Sequence, residues 1–256
     1  MLTANPWRCK FLLARMGEQK MELDMCWSGL RDEIQSQSVS HHPLYIDLVD
    51  GGLKRETIAE LCAQLKFTVL DGISSLSLII PQAPRHIKKE LAENLFGELC
   101  GTPAEPSHWE LALRAGAAAG YSEDDIDARP ILPETKIYPD TVSAYAIRGG
   151  WLEALSFVSL GIEDMFTEFC DGVSKGLIEH YGYSDAEALY FSIHVAADEA
   201  HAETGWEAAT RFASGDEQKQ RIRRAALEGR NMWWNMYSAV YDKCEGAQAP
   251  RLYLDS

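Results

Sequence analysis

His194-Val195-Ala196-Ala197-Asp198-Glu199-Ala200-His201 is the stretch on which the reading of this chain turns. Wound as an α-helix, positions i, i+4 and i+7 fall at about 0°, 40° and −20° around the axis, an arc of roughly 60°. His194, Asp198 and His201 therefore share one stripe, a carboxylate between two imidazoles. Nitrogen and oxygen donors of that kind suit Fe(II), Mn(II) or Zn(II) rather than thiolate-seeking metals. Ala196, Ala197, Ala200 and Ala202 keep the rest of the helix slim, so neighbouring helices approach and bring further donors. The competing reading is a solvated polar face on an acidic helix. Three matched positions among alanines favour the metal.

On both sides of this stretch the periodicity predicts helix after helix and no strand alternation. Helices are expected over about 19–37 and over 54–80, where PQAP stops the run, with HHPLYIDLVDGGL between them a short helix or turn closed by Gly51-Gly52. Others follow over 85–99 and 108–120, then two long ones from about 140 to 181, interrupted or joined around Gly149-Gly150. Ser184-Asp185-Ala186-Glu187 reads as an N-cap with an acidic first turn, opening a helix to about 213. A last helix covers 217–243, and YSEDDIDARPILPET is expected to be a proline-broken connection. With no repeat or linker, the expectation is an all-α, single-domain bundle of seven or eight helices. Residues 1–40 form an extension with one helix, 41–245 the domain and 246–256 a tail.

Composition narrows the partners. Of 256 residues 46% are apolar, enough for a sizeable core, and 39 acids against 24 bases give a net charge of −15. That balance argues against duplex DNA and anionic membranes, both of which need a basic face. Cys9, Cys26, Cys62, Cys100, Cys170 and Cys244 show no Cys-x-x-Cys spacing, so reduced thiols in a cytoplasmic, soluble protein are expected. No apolar run approaches a spanning helix, and the start lacks a signal-peptide core. Nothing resembles a phosphate-cradling glycine loop or a Ser-His-Asp set.

Completing a metal site in a bundle requires donors from other helices. Glu163 lies in the apolar run LSFVSLGIEDMF, where an unpartnered carboxylate is expensive to bury. A metal, an arginine or a proton would each remove that cost, and Asp164 beside it blurs the choice. Glu98 and His108 flank CGTPAEPS, so only a loop that folds back would bring them to one site. His41-His42 reads as helix-start chemistry, His86 and His180 as surface, and Cys170 as packing. The aromatic tract NMWWNMY (231–237) reads as core rather than a stacking platform. Met165, Phe166, Phe191 and Trp109 adjoin candidate donors as core or pocket wall.

Taken together these segments resemble the haem-oxygenase-like di-iron oxidases, whose fold is shared with thiaminase II and pyrroloquinoline-quinone synthase. The resemblance runs from about His42 to Lys243 through HPLYIDLVDGGLKRETIAEL, ENLFGEL, SHWEL, LGIEDMF and LIEHYGYSDAEALYFSIHVAADEAHAE. It implies six metal ligands, Glu98, His108, Glu163, His194, Asp198 and His201, with Glu98 and Glu163 able to bridge or shift on oxygen binding. The self-sacrificing aminobenzoate synthases of this superfamily carry a tyrosine just before the second glutamate and a lysine about ten residues after it. Ile162 and Val173 occupy those places here, while Tyr45 occupies that of their early tyrosine. The thiaminase branch carries a cysteine just upstream of that glutamate, and Ser156 to Ile162 contains none.

The resemblance implies a non-haem di-iron oxidase holding two Fe(II) and using O2 on a small amine- or carboxylate-bearing metabolite, amino-acid derived. Outcomes in such enzymes include N-oxygenation, oxidative C–C cleavage and decarboxylation. It also implies a homodimer and leaves room for an external electron donor, with no nucleic-acid or membrane partner. Two rival readings stand beside it: a metal-independent, thiaminase-like hydrolase, and a non-catalytic helical protein that binds metal or metabolite.

Overall fold

Apolar residues at helical spacing build the elements of the computed structural model, which describes residues 27–101 and 106–254. No strand occurs among the described residues. The expected helix residues 19–26, with Cys9 and Cys26, lie outside them. Helix α1 spans 27–36. His42 caps α2 (Pro43–Val49): its Nδ1 accepts from the Leu44 N–H, and Pro43 supplies a first residue that needs no donor. Helix α3 (Arg55–Phe67) continues as a π-helical turn (Thr68–Gly72) and a 3-10 segment (Ile73–Leu78) before the PQAP stop. Then come α4 (Arg85–Leu99) and α5 (His108–Ala117), the latter opened by a reciprocal Ser107–Glu110 capping box.

Here the structure departs from the expected connection. YSEDDIDARPILPET contains a short helix, α6 (Glu123–Asp127), and α7 begins at Pro133 and runs to Arg148 with Pro139 inside it. An internal proline removes one helical bond, but Tyr138, Val142 and Ala146 repeat every four residues and bury one face, which outweighs the loss. Gly149-Gly150 break the chain as expected. Helix α8 (Trp151–Leu155), a π-helix (Ser156–Glu163) and α9 (Asp164–Tyr181) then form one rod of mixed pitch. Ser184 does pair with Glu187, but this closes a turn, and α10 starts only at Leu189, running to Phe212. Helix α11 covers Gly215–Glu245. The all-α bundle stands, divided more finely than seven or eight helices because α2, α6 and α8 are short separate pieces.

The rod from 151 to 181 lies between α10 and α11 and forms the centre of the core, its own Phe157 and Phe169 fully buried with Phe191 of α10 and Tyr237 of α11. Glycine sets its distance from α11. A Cβ on Gly161 would collide with the Ala226 carbonyl, and one on Gly229 with the Phe157 carbonyl, so the two helices touch backbone to backbone. No helix among the described residues is long and apolar enough to cross a membrane. Cys62, Cys100, Cys170 and Cys244 are free.

Candidate metal centre

Four elements converge on the side chains singled out above. Glu98 stands at the end of α4 and His108 opens α5; the two helices bring the His108 Nδ1 to 3.0 Å from Glu98 Oε1. Glu163 is the last residue of the π-helical segment, and α10 supplies His194, Asp198 and His201. The six fall into two triads, Glu98–His108–His194 and Glu163–Asp198–His201, in each of which the donor atoms lie within 4.8 Å of one another. His194 Nε2 is 3.8 Å from Glu98 Oε1, and His201 Nδ1 is 3.3 Å from Glu163 Oε1 and 3.6 Å from Asp198 Oδ1. Glu98, Glu163, Asp198 and His194 are buried, while His108 and His201 are partly exposed.

Burial makes this expensive for three carboxylates. Among the described residues none of them meets a lysine or arginine, and Glu98 Oε2, Glu163 Oε2 and Asp198 Oδ2 are buried with no hydrogen-bond partner. An orphaned buried carboxylate oxygen costs far more than one paired with a cation. The His108 Nδ1 also lacks hydrogen-bond geometry despite its 3.0 Å approach to Glu98, as befits two donors aimed at a common point rather than at each other. Three imidazole nitrogens and three carboxylates fit a pair of borderline-hard divalent cations. Without a cation, protons take its place. Burial pulls His194 down, but Asp198 and Glu98 carry it up to about 9; burial likewise opposes His201, yet Glu163 and Asp198 lift it to about 11. Burial raises Glu98, and the His108 and His194 rings overcome that to bring it down to about 2, whereas burial leaves Asp198 raised.

Residues outside the six orient them. The His194 Nδ1–H donates to the Tyr190 carbonyl at 2.6 Å, which leaves Nε2 as the nitrogen facing Glu98. A ring N–H tied to a carbonyl in this way fixes tautomer and orientation at metal sites. Asn94, one turn before Glu98 on α4, places its amide 3.3 Å from His201 Nδ1 and 3.5 Å from Glu163 Oε1, and so touches the second triad from the helix that carries the first. Beside the triads lies a cavity of about 40 Å³, room for a few water-sized groups. Thr68 and Val69 from one π-helical segment and Val158 and Ile162 from the other wall it, with Phe166, Tyr138, Tyr190 and Trp233.

Sequence reasoning missed Asn94, Tyr138 and Tyr190, and read Trp233 as core only. Asn94 and Tyr190 each sit four residues before a candidate donor, on its face, so helix spacing carried that signal; Tyr138 gave none. Met165 and Phe191 belong to the core, Trp109 is half-buried against it, and Phe166 does both, packing in the core and lining the cavity. His42 is buried helix-start chemistry, and His86 and His180 are exposed. Cys170 is packed in the core, where burial pushes its thiol well up, and none of the described cysteines lines the cavity.

The profile of a family described as iron-containing redox enzymes matches residues 59–234. A 4-aminobenzoate synthase of Nitrosomonas europaea is 26% identical over 240 residues, covering 86% of this chain and 95% of its own length. Among solved structures, a TenA homologue from Pseudomonas syringae superposes with a TM-score of 0.70 at 13% identity, over 84% of this chain and 90% of that one. A protein from Shewanella denitrificans with a heme oxygenase-like fold gives 0.65 at 16% identity, over 88% and 93%. At such identities the structures speak for the fold.

Proposed function

Because the chain belongs to the family of iron-containing redox enzymes, we propose that the two triads hold two Fe(II) ions and that the protein is an O2-dependent oxidase of a small metabolite. The observation that carries this reading is the pairing of three orphaned buried carboxylates with three imidazoles and, among the described residues, no permanent cation. When bound, the iron pair supplies the reduction of O2 and the oxidising power delivered to the substrate. Glu98, His108 and His194 hold one ion; Glu163, Asp198 and His201 hold the other. Glu98 and Glu163 each keep one oxygen free of hydrogen bonds, so each carboxylate is able to change its mode of ligation without breaking a protein contact. Tyr190 keeps His194 aimed, and Asn94 lies against both Glu163 and His201. The apolar and aromatic walls exclude bulk water from the reacting groups.

The substrate class is a small amine- or carboxylate-bearing metabolite, amino-acid derived, undergoing N-oxygenation, C–C cleavage or decarboxylation. A small cavity with no lysine or arginine among the described residues of its wall supports a substrate of modest size held by the metal side of the pocket. The protein acts in the cytoplasm as a homodimer, with an external electron donor where the reaction requires one. A second reading, formation of 4-aminobenzoate as in the named relative, draws on that relative and on Tyr45. Against it stand Ile162 and Val173, both buried and apolar where the self-sacrificing synthases carry tyrosine and lysine.

The test is to add two equivalents of Fe(II) without oxygen, mix with O2 and follow visible absorbance. An O2-dependent transient that decays faster with one member of an amino-acid library supports the oxidase and identifies its substrate. Turnover that persists under chelation and without oxygen points to a hydrolase and overturns it. Tight metal binding with no transient leaves only a binding protein.

A further inference from the structure

Glu163 and Asp164 are adjacent buried carboxylates with opposite surroundings. Glu163 leaves an oxygen unpartnered, whereas the Asp164 side chain, fully buried, is saturated. Its Oδ1 accepts from the Arg31 guanidinium at 2.7 Å and the Trp206 indole N–H at 2.9 Å, and its Oδ2 accepts from the Gln35 amide at 2.9 Å. The same Gln35 amide lies 3.0 Å from the Asp164 carbonyl, and Arg31 sits over the Trp206 ring. Arg31 and Gln35 stand one turn apart on α1, and Trp206 follows His201 by five residues on α10. One carboxylate therefore ties α1, α9 and α10 together.

Its place in the backbone gives that knot a consequence. The Asp164 N–H bonds to the Ser159 carbonyl, five residues back, so Asp164 is where the π-helical pitch hands over to α. A slip of one residue in the register there would turn Glu163 by about 100° around the rod and away from Asp198 and His201. On the preceding side the register is held by the Gly161–Gly229 backbone contact. We propose that Asp164, clamped by Arg31 and Gln35 of α1 and Trp206 of α10, is a positioning residue that fixes the register of the π-helical segment and so aims Glu163 at the second metal. The clamp draws on α1, which lies before the segment matched by the family profile. This inference rests on the two-metal reading for its metal readout, and the experiment below separates the two.

Wild type, Asp164→Ala and Gln35→Ala are titrated with Mn(II) anaerobically, free Mn(II) being read by its EPR signal, and His201→Ala identifies the step belonging to the Glu163 triad. Asp164→Ala is expected to weaken that step about 10- to 100-fold, the usual cost of losing a group that orients a ligand, and to leave the Glu98 triad within about twofold. Gln35→Ala moves the same step by less. Amide hydrogen exchange over 156–163, measured without metal, is expected to quicken in both variants. Equal weakening of both ions, or no change in either, overturns the proposal. If wild type binds no Mn(II), the two-metal reading falls, and unaltered exchange over 156–163 then overturns the clamp as well. Should Asp164→Ala not fold, Gln35→Ala decides by the same two readouts.

Discussion

Glu60 on α3 is as deeply buried as Glu98 and Asp198, yet the bundle treats it in the opposite way. Glu60 Oε2 accepts from Arg129 at 3.0 Å, while Oε1 accepts from Gln64 and Lys243, each at 2.8 Å. Among the described residues the acids of the triads meet imidazoles and, at Glu163, the Asn94 amide, and keep three oxygens orphaned. Burial of a carboxylate is thus no mark of function by itself. What separates the two clusters, among the described residues, is the absence of a permanent cation, a gap that a proton or a metal fills.

The comparison breaks most visibly at the triads. Replacing His194, Asp198 or His201 by alanine is expected to reduce iron loading and oxygen reactivity by orders of magnitude, while circular dichroism shows the helices intact; full activity in any of them would refute the metal reading. The next effect belongs to the other cluster. Arg129→Ala strips Glu60 of one cation and is expected to cost about 3 kcal/mol in urea unfolding on either side of pH 9, whereas the loss in metal-free Glu98→Gln, whose partners are the His108 and His194 rings, should shrink as pH rises past the His194 value of about 9. Losses with the same pH dependence in those two variants would erase the distinction drawn here. Gly161→Ala forces a side chain against a backbone carbonyl, with an expected loss of about 2–3 kcal/mol in the same assay; an unchanged midpoint would show that the helices are free to move apart.

The histidines sharpen the same contrast through pH. His42 has no acid close enough to hold a proton: burial, then Arg251, bring it down to about 3, with Asp242 opposing weakly. Its Nδ1 accepts from Leu44, so Nε2–H donates to Ser238 Oγ at 2.9 Å, and that hydroxyl passes a bond on to the Pro250 carbonyl. The native state therefore holds the neutral ring. Its folded value lies below the unfolded one of about 6.5, so its contribution is complete above pH 6.5 and is lost as pH falls toward 3. By pH 5 the loss is about 2 kcal/mol. His42→Asn, which keeps a capping side chain, should flatten that part of the pH dependence of the urea midpoint; an identical slope in both proteins would exclude the ring as its source.

What was readable in the sequence followed from locality. His194, Asp198 and His201 share one helix, where a fixed angle per residue converts spacing into a common face, and the resemblance supplied Glu98, His108 and Glu163 in order. Glu98 and His108 come together only because α4 and α5 fold back on each other, which no spacing rule reaches. The start of α7 was hidden by its prolines: local preference predicts a break at Pro133 and Pro139, and burial of Tyr138, Val142 and Ala146 overrides it. Neither π-helical segment was foreseen, since periodicity distinguishes apolar faces and not a one-residue change of pitch. The cavity wall is drawn from distant parts of the chain, so Tyr138 and Trp233 meet the site only once the bundle has closed.

The glycine contact between the rod and α11 has a mechanical reading as well. Where main chain rests on main chain there is no side chain to flatten, rotate or trade for a slightly larger one. Sliding either helix along the other would drive a neighbouring side chain into the gap, so the freedom that remains is rotation about the contact itself. Glu163 lies two residues beyond this pivot on one arm and Trp233 four residues beyond it on the other. Any breathing that widens the cavity for a substrate is therefore a scissor motion, its fulcrum at Gly161 and Gly229, and its lever arms end at a carboxylate and an indole.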